Sequence, residues 1–163
     1  MKRGANLVKT PDEIAQARAA GALAADVLRM IAPHVKAGVT TAQLDKLCHD
    51  HIVEVQRAIP ANVGYHGYTK TVCASVNHVV CHGIPGDKVL KDGDIVNIDV
   101  AVLKDGWYGD TSRMFLVGTP GVLARRLVDT ACWRMGRGIR AVSRWGAVGD
   151  VGAEIQAVAE KAG

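Results

Sequence analysis

The stretch Asp94–Phe115, DIVNIDVAVLKDGWYGDTSRMF, decides the fold of this 163-residue chain, because it contains two strands and the turn between them. In its first half β-branched residues alternate with other residues, which is typical of a strand. Asp105-Gly106 is a strong signal for a two-residue hairpin turn. The residues that follow, Trp107–Gly118, are predicted to form the return strand. The stretch therefore predicts an antiparallel hairpin.

The hairpin carries two aspartates, and the length of its turn decides how they are placed. With a two-residue turn, Asp110 lies opposite Ala101 and Asp99 lies opposite Ser112. Both carboxylates then point to one side of the sheet, as diagonal neighbours roughly 7–8 Å apart at the backbone. A four-residue loop would place them directly opposite each other, again on one face, whereas a three-residue loop would need a bulge to do so.

Two carboxylates on one face of an apolar hairpin repel each other unless something neutralises them. Aspartate is depleted in strands and costly to bury, so the centre of IVNIDVAVL is an unusual place for Asp99. A divalent cation held by Asp99 and Asp110 is one explanation. The other is hydrogen bonding to polar side chains of the hairpin, namely Asn97, Thr111, Ser112 and Arg113. The spacing alone leaves both explanations open.

The segment Val79–Pro85, VVCHGIP, places a histidine beside the hairpin in the sequence. Short β-branched runs predict strands at Val72–Val76 and Val79–His82. His82 lies beside glycine and proline, and on its own it is more typical of a loop or core histidine than of a catalytic one. Cys81 is interpreted as a small buried residue rather than a nucleophile, because no base of defined geometry accompanies it.

Helices are predicted on both sides of the strands. A capping box at Thr10–Glu13 begins the first helix, which Pro33 ends. A second box at Thr40–Gln43 begins a helix that extends to about Ala58. Two further helices are predicted between Val122 and the end of the sequence. This order predicts an α+β fold in which helices pack on an antiparallel sheet.

Length and composition bound the class of protein. A hydrophobic content of 48% and a charged content of 22% are ordinary for a globular chain, and 163 residues predict a single domain over 1–163. No apolar run is long enough to cross a bilayer, and no apolar segment of a signal peptide follows Met1. The four cysteines form no CxxC pair, which favours free thiols in a reducing compartment. These features predict a cytoplasmic protein without membrane contacts.

The net charge of +4 is unevenly distributed, with six arginines and one acid, Asp129, between Arg125 and Arg144. Such a segment is compatible with a surface that faces RNA or the ribosome. A solvated helix face is the plainer interpretation, since no aromatic residues are interleaved in the pattern of an RNA-binding surface.

Several blocks of the sequence resemble type I methionine aminopeptidases. They run in the same order through the first 118 residues, and a weaker match, VGAEIQAVAEKAG, continues to residue 163. The GYHGY and CHGIP blocks separate this family from prolidases and aminopeptidases P, which share its fold. The matching blocks are KTPDEIAQARAAGALAADVL, GYHGY with the following lysine, SVNHVVCHGIP, LKDGDIVNIDV and KDGWYGDTSRMFLVG.

The resemblance implies half of a pita-bread (creatinase/aminopeptidase) fold, in which two pseudo-symmetric halves surround two divalent metal ions (Co, Mn, Fe or Zn). It implies that Asp99 chelates one metal and that Asp110 bridges both. His82 would be catalytic, contacting the substrate and stabilising the tetrahedral species. The implied activity is removal of the N-terminal methionine from nascent proteins. Besides His82, the residues matched to substrate binding are Tyr65, His66, Tyr68 and Cys73.

The sequence also departs from the family pattern. Asn62 replaces a pocket cysteine of many relatives, and Thr69 replaces the usual proline. The family's remaining ligands, one histidine and two glutamates, belong to the second half of the fold, so we expect a chain truncated before that half and inactive alone. A non-catalytic pita-bread module that binds peptide or RNA is the alternative. Retention of His82, Asp99 and Asp110 favours the enzyme.

Overall fold

The computed structural model describes residues 8–162, and the chain divides into two compact units, Met1–Thr119 and Pro120–Gly163. That both belong to one domain stays a prediction. The helices are α1 (Pro11–Ile31), α2 (Thr41–Asp50), α3 (Val122–Ala141) and α4 (Val148–Ala162). The strands are β1 (Ile59–Pro60), β2 (Val72–Val76), β3 (Ile95–Lys104) and β4 (Trp107–Leu116). Short 3₁₀ turns cover Ala32–His34 and Tyr65–Gly67.

Both predicted capping boxes are present at the starts of α1 and α2. Pro33 lies in the 3₁₀ turn directly after α1, so the predicted end of that helix is also confirmed. The helix predicted through Ala58 ends earlier, because α2 continues only as a π-helical turn to Val55. Arg57 then has a φ of 52°, which no α-helix accommodates, and the chain turns towards β1.

The sheet is antiparallel, as predicted, and β3 is its central strand. β4 pairs with β3 along its full length on one side, while β2 and β1 pair with β3 on the other. One face of β3 is fully buried against the helices, through Val96, Ile98, Val100 and Val102. Burying a side chain of this size contributes roughly 1.5–3 kcal/mol. Asp99 alternates with these residues and therefore lies on the opposite face of β3.

The strand predicted at Val79–His82 is wrong. The chain leaves β2 through a turn at Asn77, and both Asn77 and His82 have a φ of 53°, outside the extended region. It returns to β2 only at Gly83, whose carbonyl accepts a hydrogen bond from the Ala74 N–H. Val80 is 93% exposed, so its β-branched side chain covers no sheet face.

The second unit consists of α3 and α4, which pack on each other. Gly138 of α3 is buried against Val151 and Ile155, and Val158 is buried too. Arg137 forms an ion pair with Glu154 at 2.6 Å. Within residues 8–162, no helix combines the length and the apolar character needed to span a bilayer.

Candidate active site

The turn between β3 and β4 has two residues. Lys104 pairs with Trp107, and Asp105 and Gly106 have φ values of 50° and 83°. Positive φ at both central residues is what a type I′ turn requires, and Asp-Gly meets that requirement well. The longer loops considered from the sequence are thereby excluded.

This turn fixes the register of the two aspartates. Asp110 lies opposite Ala101 and Asp99 lies opposite Ser112, as predicted for a two-residue turn. Opposed residues share a face, so both carboxylates lie on the face of the hairpin away from the apolar core. Both line one cavity of about 700 Å³.

The same cavity brings together all of the predicted site residues, which come from four parts of the first unit. The loop after β1 contributes two tyrosines and a histidine, β2 a thiol, the loop after β2 a second histidine, and the hairpin the two carboxylates. Tyr108 was not predicted from the sequence; it lies on β4 two residues before Asp110, lines the cavity and is 65% exposed. The predicted residues that line the cavity are Tyr65, His66, Tyr68, Cys73, His82, Asp99 and Asp110.

The carboxylate pair is electrostatically uncompensated. Burial raises the pKa of Asp99, and the negative charge of Asp110 raises that pKa further, while His82 acts in the opposite direction. Among residues 8–162, neither carboxylate receives a hydrogen bond. Asn97 donates to Ser112 at 3.3 Å instead, so neighbouring polar side chains do not satisfy the aspartates.

The chemistry of this pair fits a divalent metal ion. Two carboxylates on one face supply hard oxygen donors, and a cation would remove the repulsion that raises the Asp99 pKa. Within the part of the chain that the structure describes, no group of three or more His, Cys, Asp or Glu residues is arranged to hold a metal. Asp99 and Asp110 therefore supply two carboxylates on one face of the cavity, which is fewer groups than a complete metal site contains.

His82 lies on the exposed loop between β2 and β3, with its backbone in the left-handed region. Cys81 beside it is also exposed, so the interpretation of Cys81 as a buried residue is wrong. The positive φ of His82 turns this part of the loop away from a strand path. The signal in the sequence is the following glycine, Gly83, which permits close approach to β2.

Tyr68 and Cys73 form the more buried wall of the cavity. The Tyr68 hydroxyl lies 3.0 Å from the Val72 carbonyl and 3.3 Å from the Gly83 carbonyl, and it donates to them. Burial raises the pKa of Tyr68, and the neighbouring Cys73 raises it further. Burial also raises the pKa of the Cys73 thiol. Both groups are therefore neutral near pH 7, which suits an apolar ligand.

Tyr65 and His66 form the outer wall. Their rings meet edge to face, with centroids 4.4 Å apart. Tyr65 is 69% exposed and His66 has a φ of 47°, within a 3₁₀ turn whose flanking residue Gly64 is also left-handed. This wall depends on the backbone of the turn more than on packing.

Helix α2 supports the start of β2 from behind the cavity. The Asp45 carboxylate accepts hydrogen bonds from the backbone N–H groups of Thr71 and Val72, at 2.8 and 3.0 Å. The Nδ1 atom of His49 lies 3.0 Å from the Thr71 hydroxyl, at the same junction. Asn62, at the position of the family's pocket cysteine, donates to the Thr71 carbonyl.

The sequence matches a known protein family. Residues 15–163 match metallopeptidase family M24, which is nearly the whole sequence. The chain belongs to metallopeptidase family M24. The resemblance seen in the sequence is thereby confirmed at the level of the family.

Individual M24 relatives are similar in sequence. The chain is 52% identical over 157 residues to the methionine aminopeptidase of Escherichia coli K12, covering 96% of this chain and 60% of that protein. It is 51% identical over 154 residues to the enzyme of Rickettsia prowazekii, covering 94% and 59%. The chain thus spans about 60% of the length of these relatives.

Solved structures confirm the fold. The methionine aminopeptidase of Rickettsia prowazekii superposes with a TM-score of 0.92 at 51% identity, covering 94% of this chain and 62% of that one. The Thermotoga maritima enzyme gives 0.92 at 34% identity, covering 96% and 63%. Escherichia coli aminopeptidase P, at 21% identity and 0.81, covers 96% of this chain and 34% of its own, and shows the fold alone. The prediction of half a pita-bread fold is confirmed.

Proposed function

We propose that this M24 chain forms the metal-binding wall and substrate pocket of a methionine aminopeptidase that removes the N-terminal methionine from nascent proteins. The observation that carries the proposal is the uncompensated pair Asp99 and Asp110 in one cavity with His82. A binding module without catalysis has no need of two carboxylates that repel each other.

Asp99 and Asp110 would hold two divalent metal ions (Co, Mn, Fe or Zn) together with further ligands. When bound, such ions polarise the first peptide carbonyl and activate water for attack. His82, exposed at the cavity, would donate a hydrogen bond to the oxygen on which negative charge develops. The free amino group of the substrate would lie on the carboxylate side of the cavity.

The other cavity residues would bind the methionine side chain. Tyr68 and Cys73 offer a neutral, partly buried surface with aromatic and sulfur atoms, which suits a flexible thioether. Tyr65 and His66 would close the outer side of the pocket. A buried pocket beside the scissile bond favours a small second residue in the substrate.

Two carboxylates cannot saturate two metal ions, each of which takes about five or six ligands in sites of this kind. We therefore expect no turnover by the 163 residues alone. The proposed setting is the cytoplasm, where N-terminal methionines of nascent chains occur. Contact with the ribosome through the arginine-rich segment 125–144 is part of the proposal, and no membrane partner is proposed.

The test of the metal wall uses a hybrid in which these 163 residues precede the remaining segment of the Escherichia coli relative. Asp110→Asn should abolish release of methionine from a Met-Gly peptide with added Mn²⁺ or Co²⁺, since one of the two carboxylates that would hold the metal ions loses its charge. Asp105→Asn in the exposed turn is the matched control and should retain activity. Near-normal release by the Asp110 variant would rule out the metal assignment. If the unmutated hybrid binds the peptide but releases no methionine, the result favours the alternative, a non-catalytic module that binds peptide.

The role of His82 is tested in the same hybrid. His82→Ala should lower kcat by roughly 10²–10³, as removal of one oxyanion donor does, with metal content unchanged. His78→Ala, on the same exposed loop but outside the cavity, is the control and should leave kcat unchanged. A loss confined to KM would reassign His82 to substrate binding.

A further inference from the structure

The backbone conformation of His82 must be stabilised by contacts with other residues. Its φ of 53° lies in the left-handed region, which a non-glycine residue keeps only where its surroundings impose it. Val80 and Cys81 before it are exposed, so side-chain packing does not impose that conformation. The contacts that fix the loop therefore lie at its two ends.

The first end is held at Asn77. Its backbone N–H donates to the Ile95 carbonyl at 3.0 Å, and its side-chain oxygen accepts from the Ile95 N–H at 3.0 Å. Its side-chain amide also donates to the buried carboxylate of Asp94 at 2.8 Å. These bonds fix where the loop leaves β2, but His82 lies five residues further along the chain.

The second end is held at Gly83, directly after His82. The Gly83 N–H donates to the Ser75 hydroxyl at 3.1 Å, and the Gly83 carbonyl accepts from the Ala74 N–H at 2.8 Å. A Cβ atom on Gly83 would overlap the Ala74 carbonyl, so the two backbones are in direct contact. Ser75 supplies the hydrogen bond closest in the chain to His82.

We propose that Ser75 is a positioning residue, whose hydroxyl holds the Gly83 N–H and thereby aims His82 into the cavity. Ser75 is 4% exposed and does not line the cavity, so it acts through Gly83 and not on a substrate. The purpose of this positioning rests on the proposed catalytic role of His82. The positioning itself is a property of the chain without metal or substrate.

The test compares two buried hydroxyls. Ser75→Ala removes the acceptor of the Gly83 N–H. Thr41→Ala is the matched control, because the Thr41 hydroxyl is 2% exposed, accepts from the Gly86 N–H at 2.9 Å and donates to the Gly86 carbonyl at 3.0 Å. Both variants lose a buried hydroxyl that bonds to the segment between β2 and β3. Ser75 bonds to Gly83, directly after His82, whereas Thr41 bonds to Gly86, beyond Pro85.

The readout is the NMR spectrum of the full 163-residue chain with labelled histidine, recorded without metal. Ser75→Ala should shift or broaden the backbone and imidazole signals of His82, while Thr41→Ala should leave them in place. Ser75→Thr keeps the hydroxyl and should restore the signals. If Ser75→Ala does not fold, Ser75→Cys, which offers only a weak acceptor, should produce the same change.

Unchanged His82 signals in a folded Ser75→Ala or Ser75→Cys chain, with only a lower Tm, would overturn the proposal and leave Ser75 a purely stabilising residue. Because the measurement uses no substrate, its outcome is separate from the proposed function. In the hybrid enzyme, Ser75→Ala should lower kcat with little change in KM, as expected for a displaced His82. If His82→Ala leaves the activity of the hybrid enzyme unchanged, the proposed catalytic role of His82 is wrong, but the positioning of His82 by Ser75 still stands.

Discussion

At the scale of single residues, Asp99 is a destabilising feature of the metal-free fold. Burial and the neighbouring Asp110 raise its pKa, so the folded chain binds the Asp99 proton more tightly than the unfolded chain does. The free energy of unfolding then falls as the pH rises through that raised pKa. In the proposed metal site, a bound cation would remove this loss of stability.

The first prediction is that Asp99→Asn stabilises the metal-free chain at neutral pH, because it removes a half-buried charge that Asp110 repels. The gain should disappear below about pH 3.9, the ordinary value of an unfolded aspartate, where Asp99 is protonated in both states. Thermal unfolding across this pH range with a chelator present measures the effect. Asp105→Asn should show no such pH-dependent gain, and an equal gain in both variants would contradict the assignment to Asp99.

The positions of Asp99 and Asp110 could be predicted from the sequence, whereas the loop carrying His82 could not. Alternation of side chains along a strand and the length of a two-residue turn are both read from the local sequence. Together they place both carboxylates on one face of the hairpin. The loop is shaped by bonds from Asn77 to Asp94 and Ile95, which are distant in sequence. β-Branched residues at 79 and 80 satisfied the local pattern of a strand, but no neighbouring strand is there to pair with them.

At the scale of elements, the contact between α1 and β4 sets the position of β4, the strand that carries Asp110. Gly109 is buried so closely against α1 that a Cβ atom there would overlap the Ala20 carbonyl. Ala20 and Ala24 present small side chains on the buried face of the helix. Small residues on both elements therefore bring the backbone of β4 close to α1, one residue before Asp110.

The second prediction is that Gly109→Ala lowers the free energy of unfolding by about 1–3 kcal/mol, the cost of forcing extra volume into a packed contact. Gly21→Ala on the same helix is the control, because no atom lies within 4 Å of its added Cβ. That variant should raise the free energy by about 0.5–1 kcal/mol. Urea unfolding measures both, and two changes of the same sign would refute the packing argument.

A carboxylate on α1 joins that helix to the segment that follows α2. Asp26 accepts hydrogen bonds from His51 at 2.9 Å and from Gln56 at 3.1 Å, and these bonds lower its pKa despite partial burial. A lowered pKa in the folded chain means that the stabilisation is present above the unfolded value. It is lost as the pH falls through the folded value.

The third prediction is that Asp26→Asn destabilises the chain at neutral pH and that the difference from the unmutated chain shrinks in acid. Both chains are neutral at this position once Asp26 is protonated. Asp12→Asn, on the exposed first turn of α1, is the control. Free energies of unfolding measured from neutral pH down to about pH 3 test this. A difference that stays constant with pH would show that the contribution is packing rather than charge.

At the scale of the whole molecule, the 163 residues expose surfaces that favour association. In the part of the chain that the structure describes, β4 pairs only with β3, which leaves its other edge without a strand. In the second unit, α3 exposes apolar side chains at Leu123, Leu127, Trp133, Met135 and Ile139. Exposed apolar groups and free strand edges are both common causes of self-association.

The hairpin register shows which backbone groups form the free edge. Lys104 and Trp107 close a two-residue turn, so odd-numbered residues of β4 bond to β3 and even-numbered residues direct their N–H groups outward. Ser112 is therefore an outward-facing, exposed position. A proline there removes an edge donor without removing a backbone hydrogen bond to β3, and the lost side-chain bond from Asn97 is exposed.

The last prediction is that the purified 163-residue chain forms dimers or larger species in a concentration-dependent manner, because both free surfaces are available at once. Light scattering coupled to gel filtration, over about a hundredfold range of concentration, measures it. Ser112→Pro should reduce association if the β4 edge drives it, whereas Leu127→Lys should reduce it if the apolar face of α3 does. Arg113→Pro is the matched control for the edge, since it breaks the pairing with β3 and should unfold the hairpin. A stable monomer at every concentration would mean that neither surface drives association, and the argument from exposed edge and apolar helix face would be wrong.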